Sequence, residues 1–403
     1  MAAEHEAEMP WHHGVFDAHC HPTDTRSSLP EIPQMKARVL TVMSTRGQDQ
    51  DLVYNAAAEN MGLKKQDISR VNNAESGCKF LPSFGWHPWF SYQLFDDVHF
   101  EGATSLSVEQ KIEHFISVLT PPPEDFDFIK TLPEPRPLSK FLNETRSRLQ
   151  TYPFALVGEI GLDKQFRLPI AWDESKLKLR DASLTPGGRE GRKLSPHRVS
   201  MDHQKLVLTK QLNLAGELGR PVSVHGVQAP GIVYETLATT WKGHERNTVS
   251  KRQAKKDRSA AAKVGDAGDG EDEARSGDPK EGYKAKPFPP RICMHSYSGP
   301  PDTIKQYTAP EVPAEVFFSF SQAINFEGPQ AGKAEEALKK VPDDRVLVES
   351  DLHTAGKRMD WYLEQGVRKI CKIKGWELEE GVKILGRNWK RFVFGEETVG
   401  TEK

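Results

Sequence analysis

The sequence predicts an α/β chain folded as a (β/α)8 TIM barrel with long loop insertions. Three observations predict it. Eight short runs of β-branched and apolar residues recur along the 403 residues, helical patterns lie between several of them, and most runs end in a polar residue of chemical interest. Continuous apolar runs, as opposed to strict alternation, mark strands buried on both faces, as in a parallel sheet. Strands alternating with helices give the α/β class, and eight of them with polar C-terminal ends favour a barrel, whose sites sit on that face.

The first run, Val15-Phe16, enters Asp17-Ala18-His19-Cys20-His21 before Pro22 interrupts the ladder. Residues i and i+2 of a strand share a side, so His19 and His21 can converge on one ion while Cys20 faces away as packing. A His-x-His pair alone carries little weight. The later runs supply the context: Arg38–Ser44, then Phe80–Phe84 leading into Gly85-Trp86-His87-Pro88, then Ala155–Glu159 and Pro221–His225. Arg291–His295, Val316–Phe320 and Arg345–Glu349 complete the eight. Helices are expected at Asp51–Gly62, at Gly332–Lys340, and at Asp202–Leu218, where Leu206, Leu208, Leu212, Leu214, Ala215 and Leu218 lie near helical spacing and Gly219 then Pro221 close the segment. Trp361–Phe394 reads as two helices, the first bearing Leu363, Val367, Ile370 and Cys371, the second Glu377–Leu385 ahead of Asn388-Trp389.

One domain is expected over residues 15–394, between an N-terminal tail, 1–14, and a polar C-terminal tail, 395–403. Three insertions exceed a minimal barrel. Residues 95–149 are proline-rich and are expected to add helices outside the core. Residues 166–198, rich in Gly, Lys and Arg, follow a strand closely and therefore belong near the mouth. Residues 242–290 are first basic, then acidic and Gly-rich, with too few large apolar side chains to offset their ordering entropy; they read as a disordered segment, or alternatively as an arm for a protein partner.

Lys plus Arg number 55 and Asp plus Glu 57, a formal net charge of -2, so no global field marks a nucleic-acid binder and any polyanion must be held locally. The 4 cysteines form no Cys-x-x-Cys pair, which argues against a zinc ribbon or a disulfide scaffold and for a reducing compartment. No long apolar run is present, and the first ten residues are acidic and polar, unlike a signal peptide. The expectation is a soluble intracellular protein without membrane contact, cytoplasmic, nuclear or both; the basic run Lys251–Arg258 resembles a nuclear signal only loosely.

Polar residues at the strand ends are His19, His21, His87, Glu159, His225, His295 and Asp351. On one face they form a cluster of imidazoles and carboxylates that needs compensation, which a metal centre supplies. Imidazole with carboxylate and no thiolate suits zinc, manganese or a similar divalent ion, and the carboxylates leave magnesium possible. The candidates exceed one tetrahedral site, so two divalent ions about 3.5 to 4 Å apart, bridged by a carboxylate, are the simplest reading.

Asp17-Ala18-His19-Cys20-His21, Gly85-Trp86-His87-Pro88, Gly158-Glu159-Ile160-Gly161-Leu162-Asp163, Pro221–His225, His295-Ser296-Tyr297-Ser298-Gly299 and Glu349-Ser350-Asp351 resemble, in order and strand position, the motifs of the TatD-related deoxyribonucleases. Ile384–Phe392, with Asn388, resembles that family's closing segment. The resemblance implies an amidohydrolase-like barrel and a metal-dependent deoxyribonuclease in which His19 and His21 bind one ion, Glu159 bridges two, and His225 and His295 complete the second. It implies that Asp351 binds metal and orients or deprotonates the attacking water, and that His87 contacts the scissile phosphate. This chain departs from the family's pattern at Gly226-Val227-Gln228, at Leu352-His353 in place of the common Ala-Pro, and mildly at Ser350. His353 is read as a loop residue, or alternatively as a further phosphate contact.

The substrate implied is DNA, single-stranded or at strand ends, since a barrel mouth admits one strand more readily than a duplex. Lys164, Arg167 and the basic insertion that follows are expected to contact phosphates, and Trp86, Trp89 and Phe90 to stack bases. Two other readings suit the same residues. A related amidohydrolase-type enzyme would cleave a C–N, lactone or phosphoester bond in a small molecule, but many such enzymes use a carboxylated lysine where Glu159 stands. The other is a barrel kept mainly as a protein-interaction module, which retention of every candidate ligand argues against.

Overall fold

The computed structural model describes residues 7–63, 77–178, 180–247 and 284–395. Eight strands appear where the apolar runs lie: β1 (Phe16–Cys20), β2 (Val39–Met43), β3 (Lys79–Ser83), β4 (Val157–Asp163), β5 (Val222–Val227), β6 (Arg291–Met294), β7 (Glu315–Ser321) and β8 (Val346–Glu349). Every neighbouring pair is parallel, β1 to β3 forming one sheet and β4 to β8 another. Backbone hydrogen bonds join the two sheets at both seams. Leu156 N–H donates to Pro82 O (3.2 Å) and Phe84 N–H to Leu156 O (3.0 Å). At the other seam, Asp351 N–H donates to His19 O (3.0 Å) and His21 N–H to Leu352 O (2.8 Å). The strands thus run in chain order around a barrel.

Alternation along these strands explains why chemistry sits at one end. Val39, Leu81, Cys293, Phe317 and Leu347 form one apolar cluster with Trp389, Phe392 and Val393. Two residues further along the same strands, on the same face, stand Thr41, Ser83, His295, Ser319 and Glu349, all buried. Each strand therefore turns from apolar to polar as it nears its C-terminal end. The apolar end is closed by the last helix, where Trp389 stacks on Phe16 with ring centroids 4.6 Å apart. Its indole N–H donates to Thr41 Oγ1 (3.2 Å).

The helices are α1 (Gln50–Ala56), α2 (Val108–Val118), α3 (Phe126–Thr131), α4 (Leu138–Thr151), α5 (Met201–Glu217), α6 (Pro230–Trp241), α7 (Ala331–Lys340), α8 (Lys357–Lys374) and α9 (Leu378–Phe394). Leu363, Val367, Ile370 and Cys371 of α8 are buried, as their spacing predicts. The helix expected at Asp51–Gly62 is α-helical only to Ala56 and widens into a π turn over Ala57–Met61. Between β1 and β2 the chain makes a 3-10 stretch, Arg26–Gln34, because Pro30 and Pro33 lack the N–H groups an α-helix requires there. No helix among the described residues is long and apolar enough to cross a membrane.

Helices α2 and α3 fall within residues 95–149, and α4 begins there and runs on to Thr151. α2 starts with a reciprocal capping box between Ser107 and Gln110, and packs Phe115 and Val118 against Tyr92, Leu168 and Val199. Within this cluster, His114 Nε2–H donates to Tyr92 O (2.8 Å), and burial pushes the imidazole down to about 4. The folded state thus binds this proton more weakly than the unfolded chain, whose histidine titrates near 6.5. The contribution is complete above pH 6.5 and is lost as pH falls toward 4, a loss of about 2 to 3 kcal/mol between pH 7 and pH 4.5. Urea unfolding at both pH values is expected to show a smaller acid loss for His114→Gln than for wild type; equal losses would refute the assignment.

Residues 248–283, the greater part of the 242–290 segment, and residues 396–403 of the C-terminal tail lie outside the described residues, as do 1–6 of the N-terminal tail.

Candidate metal centre

The seven candidates, His19, His21, His87, Glu159, His225, His295 and Asp351, meet at the C-terminal mouth of the barrel. At the end of β1 the extended backbone brings His19 Nε2 and His21 Nε2 to 3.1 Å of each other. Both face Glu159 Oε2, at 3.5 and 3.4 Å, and Asp351 Oδ1, at 3.9 and 3.5 Å. The other Glu159 oxygen, Oε1, faces His225 Nδ1 and His295 Nε2, both at 2.9 Å, and these two nitrogens are 3.3 Å apart. Two donors about 2.0 to 2.2 Å from a shared ion at the tetrahedral angle stand about 3.3 to 3.6 Å apart. The first group surrounds that spacing and the second is slightly tighter, so the donors form two half-sites, one at each Glu159 oxygen, that could hold metal; His19, His295 and Asp351 also come close enough to share an ion.

Outer contacts select which nitrogen each histidine offers. Asp163 Oδ2 lies 3.0 Å from His225 Nε2, Ser223 Oγ 2.8 Å from His19 Nδ1, and Glu349 Oε1 3.3 Å from His295 Nδ1. The opposite nitrogen of each ring is thereby left to the half-sites, an arrangement typical of metal-ligating histidine. His87 differs. Its Nδ1 accepts the Trp89 backbone N–H (3.1 Å), so its proton sits on Nε2, 3.1 Å from Glu159 Oε1. In this tautomer that nitrogen is a donor, although it also stands with Glu159 and His225 in a group whose atoms could hold an ion.

Electrostatics agree with a site built for cations. Burial alone would raise the Glu159 carboxyl, but His87, His295 and His19 around it outweigh burial and hold it well below the usual range. Burial lowers His19 and brings His87 down to about 4, against the pull of Glu159 in each case. For His21 burial is overridden by the hydrogen bond to Asp351 and by Glu159, which push it up to about 9. For His295 burial is likewise overridden by Glu159 and Glu349, which raise it well. Without ions, protons on these two rings provide the positive charge the carboxylates demand.

Backbone geometry serves the same cluster. Gly161 has φ 151°, and a Cβ there would stand 2.1 Å from His225 O, so only glycine lets β4 approach β5 beside Glu159. Asp351 is a non-glycine residue with φ 54°, a left-handed conformation that costs about 1 to 3 kcal/mol and collects at functional sites.

The sequence profile described as TatD related DNase matches residues 16–394. The chain belongs to this family. It is 38% identical over 385 residues to the Cut9-interacting protein scn1 of Schizosaccharomyces pombe, covering 94% of this chain and 98% of that protein. It is 25% identical over 346 residues to the uncharacterized deoxyribonuclease YMR262W of Saccharomyces cerevisiae, covering 84% of this chain and 83% of the other. Among solved structures, an uncharacterized amidohydrolase from Saccharomyces cerevisiae superposes with a TM-score of 0.51 at 11% identity, over 94% of this chain and 99% of that one, a likeness of fold. TatD-family enzymes are metal-dependent hydrolases, and the donor set at the mouth is of the type they need.

Other expectations are corrected by the placement of the side chains. Trp86 is 1% exposed, with its ring edge-on to Phe141 and its N–H donated to Phe90 O (2.8 Å), so it cannot stack a base. Phe90 lines the mouth cavity but is 5% exposed and lies beneath the Arg46 guanidinium. Trp89 does line the mouth cavity, stacked on Phe166 with centroids 4.4 Å apart. Lys164 and Arg167 are exposed but do not line the cavity; Arg189 of the same insertion does. His353, read from sequence as a loop residue or a further phosphate contact, lies in the loop after β8 and forms part of the cavity wall, with its Nδ1–H donated to Asp24 Oδ2 (2.8 Å) and its ring stacked over His21.

Asp163, Glu349, Ser223, Asp24 and Arg46 were not singled out by sequence reasoning. Asp163 and Glu349 end the β4 and β8 runs inside the motifs already quoted, which was the available signal. Asp24 and Arg46 lie beyond strand ends, where no periodicity marks them.

Proposed function

We propose that this protein is a divalent-metal-dependent phosphodiesterase that hydrolyses DNA, acting as an exonuclease on single-stranded ends. The observation that supports the reading is the position of Glu159, with one carboxylate oxygen toward His19, His21 and Asp351 and the other toward His225 and His295. In this reading His19, His21 and Asp351 hold one ion, His225 and His295 the other, and Glu159 both; magnesium, manganese and zinc all suit such donors. Bound ions supply a nucleophile from water at neutral pH and neutralise charge developing on a phosphate oxygen.

The chain's own groups do the rest. Asp351 orients the attacking water and accepts its proton. His87 offers its Nε2–H to a phosphate oxygen, a donor held in place by Trp89 N–H. The cavity of about 430 Å³ has the size of a small-ligand pocket, which suits a nucleotide at the end of one strand and not a duplex.

The test combines metal analysis of the purified protein with release of mononucleotides from labelled single-stranded and duplex DNA in Mg²⁺ or Mn²⁺. Expected are about two ions per chain, release from single-stranded ends, and loss of release with EDTA. Bound metal without nucleotide release would turn the assignment toward a small-molecule hydrolase; no bound metal would refute it.

A second role, protein binding, draws support from the 38% identity to a relative named for its interaction with Cut9, and the arm at 242–290 is the segment we assign to it. Deleting that arm is expected to leave nucleotide release intact, and lost release would overturn the division of labour. For both roles we propose a place inside the cell, in the cytoplasm, the nucleus or both.

A further inference from the structure

Around the mouth, one wall of the cavity is made by the 166–198 insertion, and its backbone is unusually well fixed. Thr185 N–H donates to Asp24 O (2.9 Å) and its hydroxyl to Thr23 O (2.5 Å). Arg46 reaches across from the end of β2 and donates Nε–H to Pro186 O (3.0 Å) and Nη2–H to Thr185 O (3.2 Å). Arg192 donates to Gly188 O (2.5 Å), and Gly187 N–H to Glu190 Oε1 (3.1 Å). A loop pinned at so many carbonyls and amides holds its side chains at set positions.

Arg46 itself is not available to a substrate. Besides the two carbonyls, it donates Nη1–H to Thr45 Oγ1 and Asp49 Oδ2 and Nη2–H to Asp24 Oδ1, at 2.9, 3.2 and 2.9 Å. Its five N–H groups are all engaged, and it is 3% exposed. Burying a guanidinium between two carboxylates is costly to stability, so its use as a strut here needs a return in position.

The side chain so positioned is Arg189. It is exposed, lines the same cavity as His21, Glu159 and Asp351, and its guanidinium has no hydrogen bond or ion pair among the described residues. Neighbouring charges are already matched: Glu190 with Arg180, and Asp24 with Arg46 and His353.

We infer that Arg189 binds a backbone phosphate of the substrate strand next to the one being cleaved, and that the insertion, held by Arg46, is a phosphate-guiding wall specific to this form of the barrel. The inference rests on the reading of the site as a DNA phosphodiesterase. An unpaired cation at a fixed point beside the half-sites matches a polyanion running out of the mouth, and one such contact has a measurable signature. Neutralising one phosphate of a single strand contributes about 0.7 to the slope of log affinity against log salt.

The experiment measures kcat/KM for release of nucleotides from labelled oligodeoxythymidylate over a series of NaCl concentrations. Wild type, Arg189→Ala, Arg189→Lys and Lys333→Ala are compared, and the last removes one positive charge from an exposed site on α7, off the cavity. Arg189→Ala is expected to be shallower by about 0.7, so that a fourfold rise in salt costs wild type about 2.6-fold more than the variant. The effect should lie in KM, with Arg189→Lys close to wild type and Lys333→Ala unchanged in slope. Cleavage by wild type with the same slope in Arg189→Ala overturns the inference alone, as does an equal change in Lys333→Ala. Absence of nucleotide release from wild type overturns the inference together with the nuclease reading.

Discussion

Replacing Glu159 with Gln is expected to lower nucleotide release by about 10³-fold and to reduce the metal content of the protein. The carboxylate is 3% exposed and its two oxygens face opposite groups of donors. An amide keeps the shape but presents one oxygen and one N–H₂, so only one half-site retains its ligand and the other meets a donor. The several kcal/mol of charge stabilisation that a bridged pair provides, about 4 kcal/mol, corresponds to about three powers of ten in rate. Asp351→Asn makes an instructive partner, because Asp351 Oδ1 faces His19 and His21, at 3.9 and 3.5 Å, and has no such contact with His225 among the described residues. It is expected to lose rate while retaining the ion held by His225 and His295. Metal analysis by mass spectrometry alongside the release assay separates the two; a Glu159→Gln protein that keeps its full metal complement and activity would remove the bridging role.

How much of this could be read from the sequence follows from what kind of order each feature has. Strand interiors obey local rules, and the runs at Val39, Val222, Val316 and Val346 became strands because β-branched residues buried on both faces have few alternatives. Polar residues at strand ends inherit that regularity, which is why the seven candidates stand together. The supporting groups are of another kind. Arg46 meets Asp24 and the carbonyls of Thr185 and Pro186, partners separated from it by 22 and about 140 positions, and nothing local in the sequence records such a meeting. Trp86 misled for a related reason: its place beside His87 put it near the mouth in sequence, but the 3-10 turn Pro88–Gln93 sends its ring inward against Phe141 while Trp89 faces the cavity. His353 is a case where the polar loop chemistry was visible and its partner, 329 residues earlier, was not.

Asp17→Ala is expected to lower stability by about 3 to 5 kcal/mol and to weaken metal binding with it. Asp17 is fully buried, and its carboxylate accepts the His19 N–H (3.0 Å), the Ser350 N–H (3.0 Å) and the Ser350 hydroxyl (2.5 Å). These bonds join the end of β1 to the end of β8, the seam across which the barrel closes and on which His19, His21 and Asp351 are carried. Alanine leaves three buried donors without an acceptor, each costing about 1 to 3 kcal/mol, part of which is recovered because a costly buried carboxylate is removed as well. Asn keeps one acceptor oxygen and is expected to fall between wild type and Ala. Urea unfolding with and without added Mn²⁺ measures both effects. Loss of the ion's stabilising increment in Asp17→Ala would show that the seam positions the ligands; a change in stability under about 1 kcal/mol would show that the seam's backbone bonds suffice without the carboxylate. The first strand's motif thus carries two tasks on alternate residues, with Asp17 closing the barrel so that His19 and His21 arrive opposite Asp351.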